Sequence, residues 1–118
     1  SLDRRQRQMC IRDRSMNLPE DSYMTTFQSR FGPAEWLQPY TDKTIESLAK
    51  DGTDHIHVIS PAFSSDCLET IEELNEENRE IFIENGGQKF GYIPCLNDRD
   101  DHIILLTSLL KNELHGWV

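Results

Sequence analysis

Residues 66–84 (DCLETIEELNEENREIFIE) hold one aspartate and seven glutamates, at positions 69, 72, 73, 76, 77, 80 and 84. Read as a helix turning about 100° per residue, Leu68, Ile71, Leu74, Ile81 and Phe82 gather on one face and the glutamates on the other. Within the acidic face, Glu69, Glu73 and Glu77 stand at i, i+4 and i+8 and form a ladder of carboxylates. Like charges at that spacing cost a helix a few tenths of a kcal/mol per pair, which water tolerates. Turned into a cleft, such a ladder would attract hard cations and could relay protons, since carboxylate oxygens serve both tasks. The plain alternative is a solvated surface. In it Asp66 caps the helix, Glu69 completes a capping box, and acids in the first turn complement the helix dipole. On periodicity alone the surface reading is the stronger.

Other candidate ligands are scattered. The cysteines are Cys10, Cys67 and Cys95, an odd number at long spacings, which excludes a CxxC-type zinc or iron–sulfur site built within the chain. Such usage fits a reducing, cytoplasmic location. Cys67, beside Asp66, reads as a small apolar residue facing the helix interior. His55 and His57 alternate to one face of a strand and could imitate a metal pair, although exposed strand positions account for them. His102 belongs with the start of a helix and His115 with a terminal turn. No GxGxxG follows a strand, and Gly86-Gly87 ends a helix instead of opening one, so a dinucleotide site is set aside.

Charge narrows the partners. Residues 1–14 hold five arginines and two acids, so that of a formal net charge of −9 the remaining residues carry −12. A body of that sign repels phosphate backbones and excludes nucleic acid, whereas a cation or a cation-steered ligand suits it. No apolar run approaches the roughly 20 residues of a membrane span, and no signal-peptide pattern opens the chain. The first 14 residues have no apolar periodicity, cap or turn chemistry. They read as a non-native, artefactual and disordered basic tail, with a basic interaction arm as the rival reading.

The elements that must position these side chains occupy residues 15–118, one domain in size. Residues 23–30 are rich in β-formers and end at a Phe31-Gly32-Pro33 turn, which predicts a strand. Residues 41–50 show helical spacing at Ile45, Leu48 and Ala49, with Thr41 or Asp42 to cap the start and Asp51-Gly52 to close it. Residues 55–60 predict a second strand stopped by Pro61, and residues 66–84 the acidic helix, ended by Asn85-Gly86-Gly87. Residues 89–93 predict a third strand. Residues 102–114 predict a last helix with Ile103, Leu106, Leu109 and Leu110 on one side and Asp98 or Asp101 as its cap. Alternating strands and helices imply a small parallel sheet flanked by helices, a three-layer Rossmann-like α/β half. Such sheets are normally wider, so the unit reads as cut from something larger. Ligands gather beyond the carboxyl ends of strands in such folds. Any site should therefore include Phe63 and the first turn of the acidic helix.

The string from Pro61 through Asp66-Cys67-Leu68-Glu69-Thr70 to Phe82 resembles the region of bacterial ferrochelatases that carries the Asp-Cys-Leu-Glu-Thr signature. The resemblance extends through Thr26-Phe27-Gln28-Ser29-Arg30-Phe31-Gly32, Glu35-Trp36-Leu37-Gln38-Pro39-Tyr40-Thr41-Asp42 and Tyr92-Ile93-Pro94-Cys95-Leu96-Asn97. It covers nearly everything from about residue 18 to residue 117, with the proteobacterial type the nearest likeness. It implies a chelatase-type fold and a lyase that inserts Fe2+ into protoporphyrin IX in the last step of haem synthesis. It also implies that Glu69 lies in the porphyrin cleft as iron ligand or proton acceptor. Glu73 and Glu77 would continue a path for metal delivery or proton exit, and Trp36 and Phe63 would stand near the macrocycle. Charge complementarity adds Arg30 as a partner for a propionate. Iron and protoporphyrin are then substrates, with no permanent cofactor and no iron–sulfur cluster.

One departure limits the inference. The family's catalytic histidine lies in a segment upstream of the matched region, and none of the four histidines replaces it. Residues 15–118 are therefore expected to be an incomplete C-terminal domain, inactive alone, whose partner is the missing N-terminal half. No transmembrane segment is expected, and peripheral membrane contact stays open. The alternative is a non-catalytic half-module that binds metal or tetrapyrrole.

Overall fold

Apolar residues four apart, followed by a glycine stop, define the first helix. In the computed structural model, which describes residues 15–28, 33, 35 and 37–117, Thr41–Lys50 forms α1, with Thr41, Ile45 and Ala49 buried along one side. These are the bounds the spacing predicts. Neither Thr41 nor Asp42 caps the start, which has no side-chain cap. The chain leaves through Gly52 at φ +93°, a conformation in which a Cβ is costly. Two strands follow, β1 (His55–Ile59) and β2 (Lys89–Ile93), paired in parallel from His55 opposite Lys89 to Ile59 opposite Ile93.

The first expected strand, residues 23–30, is not formed over its described part, and the sheet has two strands among the described residues. Phe27 makes a single parallel bridge to Tyr40: its N–H donates to the Pro39 carbonyl at 2.9 Å, and its carbonyl accepts from Thr41 N–H at 3.1 Å. The Thr41 hydroxyl adds a bond to the Thr26 hydroxyl at 2.8 Å. The segment is thus tied to the start of α1 instead of to the sheet.

Residues 66–84, expected as one uniform α-helix, are helical in two modes. Glu69–Glu77 is a π-helix and Asn78–Glu84 (α2) is α-helical. The i→i+5 bonding of a π-helix widens each turn. Four-residue steps therefore stay on one side, and Thr70, Leu74, Asn78 and Phe82 make the buried row. This corrects the expected apolar face. Leu74 and Phe82 are buried and Ile81 packs on the core, but Leu68 is 73% and Ile71 48% exposed.

The core is Ile45 and Ala49 of α1, Phe82 of α2 and Phe90 of β2, with Ile56, Val58, Ile81 and Tyr92 packed around them. The Phe82 and Phe90 rings tilt against each other at 6.2 Å, an edge-on arrangement suited to aromatic quadrupoles. Arg79 lies 5.3 Å from the Phe90 ring centroid and donates to the Phe90 carbonyl at 3.1 Å, fixing the outgoing helix to β2. Gly87 closes α2 by donating its N–H to the Phe82 carbonyl at 2.9 Å, and a Cβ there would overlap the Phe82 ring. Gly87→Ala is therefore expected to lower the unfolding free energy by about 1–3 kcal/mol. Urea unfolding of the chain checks this; an unchanged midpoint would show that the ring can move aside.

The last helix, α3, spans Asp100–Glu113. Neither Asp98 nor Asp101 caps it from outside; Asp101 instead accepts the N–H of its neighbour His102 at 2.9 Å. Ile103, Leu106, Leu109 and Leu110 are exposed, contrary to a helix with one covered side, and only His102 is buried. The reason is that no other named element packs extensively against α3. Among the described residues no helix is long and apolar enough to cross a membrane.

Candidate functional site at the carboxyl ends of the strands

Two loops leave the sheet side by side, one from β1 toward the π-helix and one from β2 toward α3. Asp66 joins them. Its Oδ1 accepts from the Tyr92 hydroxyl at 2.6 Å and the Thr70 hydroxyl at 2.9 Å. Its Oδ2 accepts from Asn97 Nδ2 at 2.8 Å and the Cys95 N–H at 3.2 Å. The Asp66 N–H in turn donates to Asn97 Oδ1 at 2.8 Å. The Tyr92 phenol, then the Asn97 amide, hold the Asp66 carboxyl far below its usual range against the opposing effect of burial. Burial first, and the bond to Asp66 second, push the Tyr92 phenol up to about 12.

The β2-side loop is locked onto α3 by His102. Its Nδ1 lies 2.6 Å from the Asn97 carbonyl and its Nε2 3.1 Å from the Ser64 hydroxyl. A carbonyl can only accept, so Nδ1 carries the proton. His102 thus stands near the start of α3, as expected, and serves a structural lock.

The capping box is not formed. The π-helix has no side-chain cap; Thr70, not Asp66, accepts the Cys67 N–H, at 2.9 Å. Cys67 is only half-buried, and its thiol, followed by the residue's own backbone amide, holds the Glu69 carboxyl below the ordinary glutamate value. Glu69 is exposed at the first position of the π-helix, and its main-chain carbonyl accepts from Gln28 Nε2 at 3.3 Å. Gln28 Oε1 is buried without a partner among the described residues. Glu73 is half-buried and Glu77 exposed, so the three carboxylates run in a row beside the buried Thr70–Leu74–Asn78 line. Among the described residues no three His, Cys, Asp or Glu side chains converge to enclose a metal ion.

Phe63 lies half-buried in the loop after β1, its N–H bonded to the Ser60 carbonyl at 3.1 Å. Trp36 and Arg30 lie outside the described residues. His55 and His57 are exposed and lie ring against ring at 4.6 Å on β1, with Gly91 beneath His57. Cys67 and Cys95 are free thiols. Tyr92, Asn97 and Thr70 were not singled out by residue chemistry. The signal for all three was their place in the resemblance, Thr70 in the Asp66–Thr70 signature and Tyr92 and Asn97 in the Tyr92–Asn97 block.

The Asp66–Tyr92 pair gives stability a pH signature. Asp66, depressed in the fold, contributes fully above its ordinary 3.8 and loses that contribution as pH falls below it. Tyr92, raised in the fold, contributes fully below 10.0 and loses its contribution as pH rises through about 12. Unfolding free energy is expected to fall at both extremes, and Tyr92→Phe should remove the alkaline limb. An alkaline limb unchanged in that variant would contradict the assignment.

A small parallel two-stranded sheet flanked by helices is consistent with an α/β chelatase-type fold. The family comparison gives the particular family: the ferrochelatase model matches residues 4–114, and the chain belongs to the ferrochelatase family. It is 56% identical over 108 residues to the ferrochelatase of Rhizobium etli (strain CIAT 652), covering 92% of this chain and 31% of that protein. It is 57% identical over 108 residues to the ferrochelatase of Rhodopseudomonas palustris (strain BisB5), with the same two coverages. The ferrochelatase of Marinobacter nauticus is 59% identical over 102 residues, 86% of this chain and 28% of that protein. The chain thus spans about a third of the length of the curated relatives it matches.

Proposed function

We propose that this chain is the C-terminal part of a ferrochelatase that inserts Fe2+ into protoporphyrin IX, completing haem. The observation that carries the reading is the carboxylate row Glu69, Glu73 and Glu77, which opens with Glu69 at the first position of the π-helix that follows the β1 loop, within a ferrochelatase-family chain. Insertion replaces two pyrrole protons by one Fe2+. It therefore needs a site that attracts a hydrated dication, strips it and carries protons away. Glu69 supplies the attraction. Its carboxylate oxygens suit a cation as ligands and a pyrrole proton as acceptor. Glu73 and Glu77 extend the negative row along the π-helix and pass ions inward or protons outward. Phe63 and Trp36 form apolar walls for the planar macrocycle, and Arg30 pairs with a propionate. Residues 15–118 are the part that does this, and the family match, which begins at residue 4, reaches into the basic segment before them. Free thiols at Cys67 and Cys95 agree with a reducing cytoplasm.

No histidine of the chain completes the site. His55 and His57 lie on the exposed face of β1, His102 is held by Ser64 and Asn97, and His115 follows α3. The opposing imidazole comes from the N-terminal part of the same enzyme, and the chain alone does not turn over.

Two proteins test this: the chain by itself, and a hybrid in which it replaces the segment it matches in the Rhizobium etli ferrochelatase. Under anaerobic conditions the hybrid is expected to insert Fe2+ into protoporphyrin IX and the chain alone to be inactive. Turnover by the isolated chain would overturn the division of the site. An inactive hybrid, together with porphyrin binding by the isolated chain as a dimer, would support a non-catalytic half-module instead.

A further inference from the structure

We infer that Asn97 is a positioning residue for Glu69, acting through Asp66; the inference rests on the ferrochelatase reading above. Asn97 sits at φ +50° in the left-handed region, which asparagine tolerates better than most residues. That turn points its amide back at the loop before the π-helix. Oδ1 accepts from the Asp66 N–H, and Nδ2 donates to Asp66 Oδ2, both at 2.8 Å. Two bonds between one pair of residues fix rotation as well as distance, where a single bond would leave a swivel. Nδ2 also reaches the Cys95 carbonyl at 3.1 Å, the Asn97 N–H donates to the Ser64 carbonyl at 3.1 Å, and its own carbonyl faces His102 Nδ1 at 2.6 Å. Every polar group of the residue is engaged, and the partners come from both loops and from α3.

The connection onward to Glu69 is short. Asp66, clasped by Asn97, accepts from the Thr70 hydroxyl, and that hydroxyl accepts the Cys67 N–H. Thr70 is the chain neighbour of Glu69, and Gln28 Nε2 holds the Glu69 main-chain carbonyl at 3.3 Å. Thr70 is fully buried and cannot shift without disturbing the core row, whereas Glu69 is exposed. The main chain from which the Glu69 side chain leaves is therefore set by the turn that Asn97 and Asp66 hold. Ligand geometry off by about 1 Å is enough to cost a reaction a hundredfold.

The test is a double-substitution cycle in the hybrid enzyme. Asn97→Asp keeps size and left-handed tolerance but turns a donor into a carboxylate oxygen facing Asp66 Oδ2. It is expected to lower kcat tenfold or more and raise the KM for Fe2+, with the KM for protoporphyrin within twofold. In the E69Q background the same change should cost less than twofold, because the group it positions is already gone. A purely structural residue would cost as much in both backgrounds, and that result, or a kcat within twofold of the unsubstituted hybrid, would overturn the proposal. Should N97D fail to fold, Tyr92→Phe removes the 2.6 Å bond to the same carboxylate while keeping its ring against the core. It is expected to lower kcat at least threefold, again without effect in the E69Q background; equal losses in the two backgrounds would overturn the proposal. An active hybrid with E69Q disabled and both clasp variants unaffected refutes this inference alone. An inactive unsubstituted hybrid refutes the functional reading and this inference with it.

Discussion

In the hybrid enzyme, Glu69→Gln is expected to lower kcat for iron insertion by about 100- to 10,000-fold, the span usual for a lost acid–base or ligand carboxylate. A hundredfold loss corresponds to about 2.7 kcal/mol of barrier. Protoporphyrin affinity should stay within about threefold, because in the proposed site the macrocycle is held by apolar walls and by charge at its propionates, neither of which Glu69 would supply. Glutamine preserves shape and helix propensity and removes only the charge. The competing account treats Glu69 as a solvated helix residue, and surface substitutions of that kind change stability by no more than about 0.5 kcal/mol. They leave turnover untouched. The two accounts therefore differ by at least two orders of magnitude in one rate. The absence of the capping box already removes the structural task that periodicity had offered Glu69. Steady-state rates with saturating porphyrin, alongside fluorescence quenching to measure porphyrin binding, separate the accounts.

The second large effect is on stability. Asp66→Ala is expected to lower the unfolding free energy by about 3 kcal/mol. The carboxylate takes four donors, from Tyr92, Thr70, Asn97 and Cys95, in a partly buried setting. Donors stripped of a charged acceptor cost roughly 1–3 kcal/mol each where water is excluded and less where it enters, and Asp66 is only partly buried. The sum is a large share of the 5–15 kcal/mol that holds a domain together. Asp66→Asn should cost less, because one oxygen survives, yet its new amide would face the Asn97 amide donor to donor. Urea unfolding of the hybrid at pH 7 measures both. A loss under about 1 kcal/mol for Asp66→Ala would mean that the two loops are held together by something else.

The legible and illegible parts of the molecule divide along physical lines. α1 and β2 follow from local pattern alone: Ile45 and Ala49 one turn apart before a glycine, and a short β-forming run closed by Pro94. The buried row of residues 66–84 was hidden because two of its members, Thr70 of the π-helix and Asn78 of α2, are polar. An apolar pattern search passes over them and assigns Leu68 and Ile71 to the core in their place. The strand expected at residues 23–30 failed for a related reason. Its β-forming residues were real, but the main chain of Phe27 found partners at Pro39 and Thr41 that no local propensity encodes. α3 was legible as a helix, while its burial was not, since cover depends on what packs against it. The Asp66–Asn97–Tyr92 network joins residues 26 and 31 positions apart, and one sequence carries no signal for such pairs. Glu69 was picked from seven glutamates by family likeness, not by spacing.

Anaerobic insertion of Fe2+ into protoporphyrin IX by the hybrid, compared with the unmodified Rhizobium etli enzyme, bears most directly on the central claim. A rate within about tenfold of that enzyme, at 56% identity over the exchanged segment, is the expected result. No insertion by a folded hybrid that still binds protoporphyrin, while the unmodified enzyme turns over, would contradict the claim that this chain supplies the metal-facing wall of a ferrochelatase.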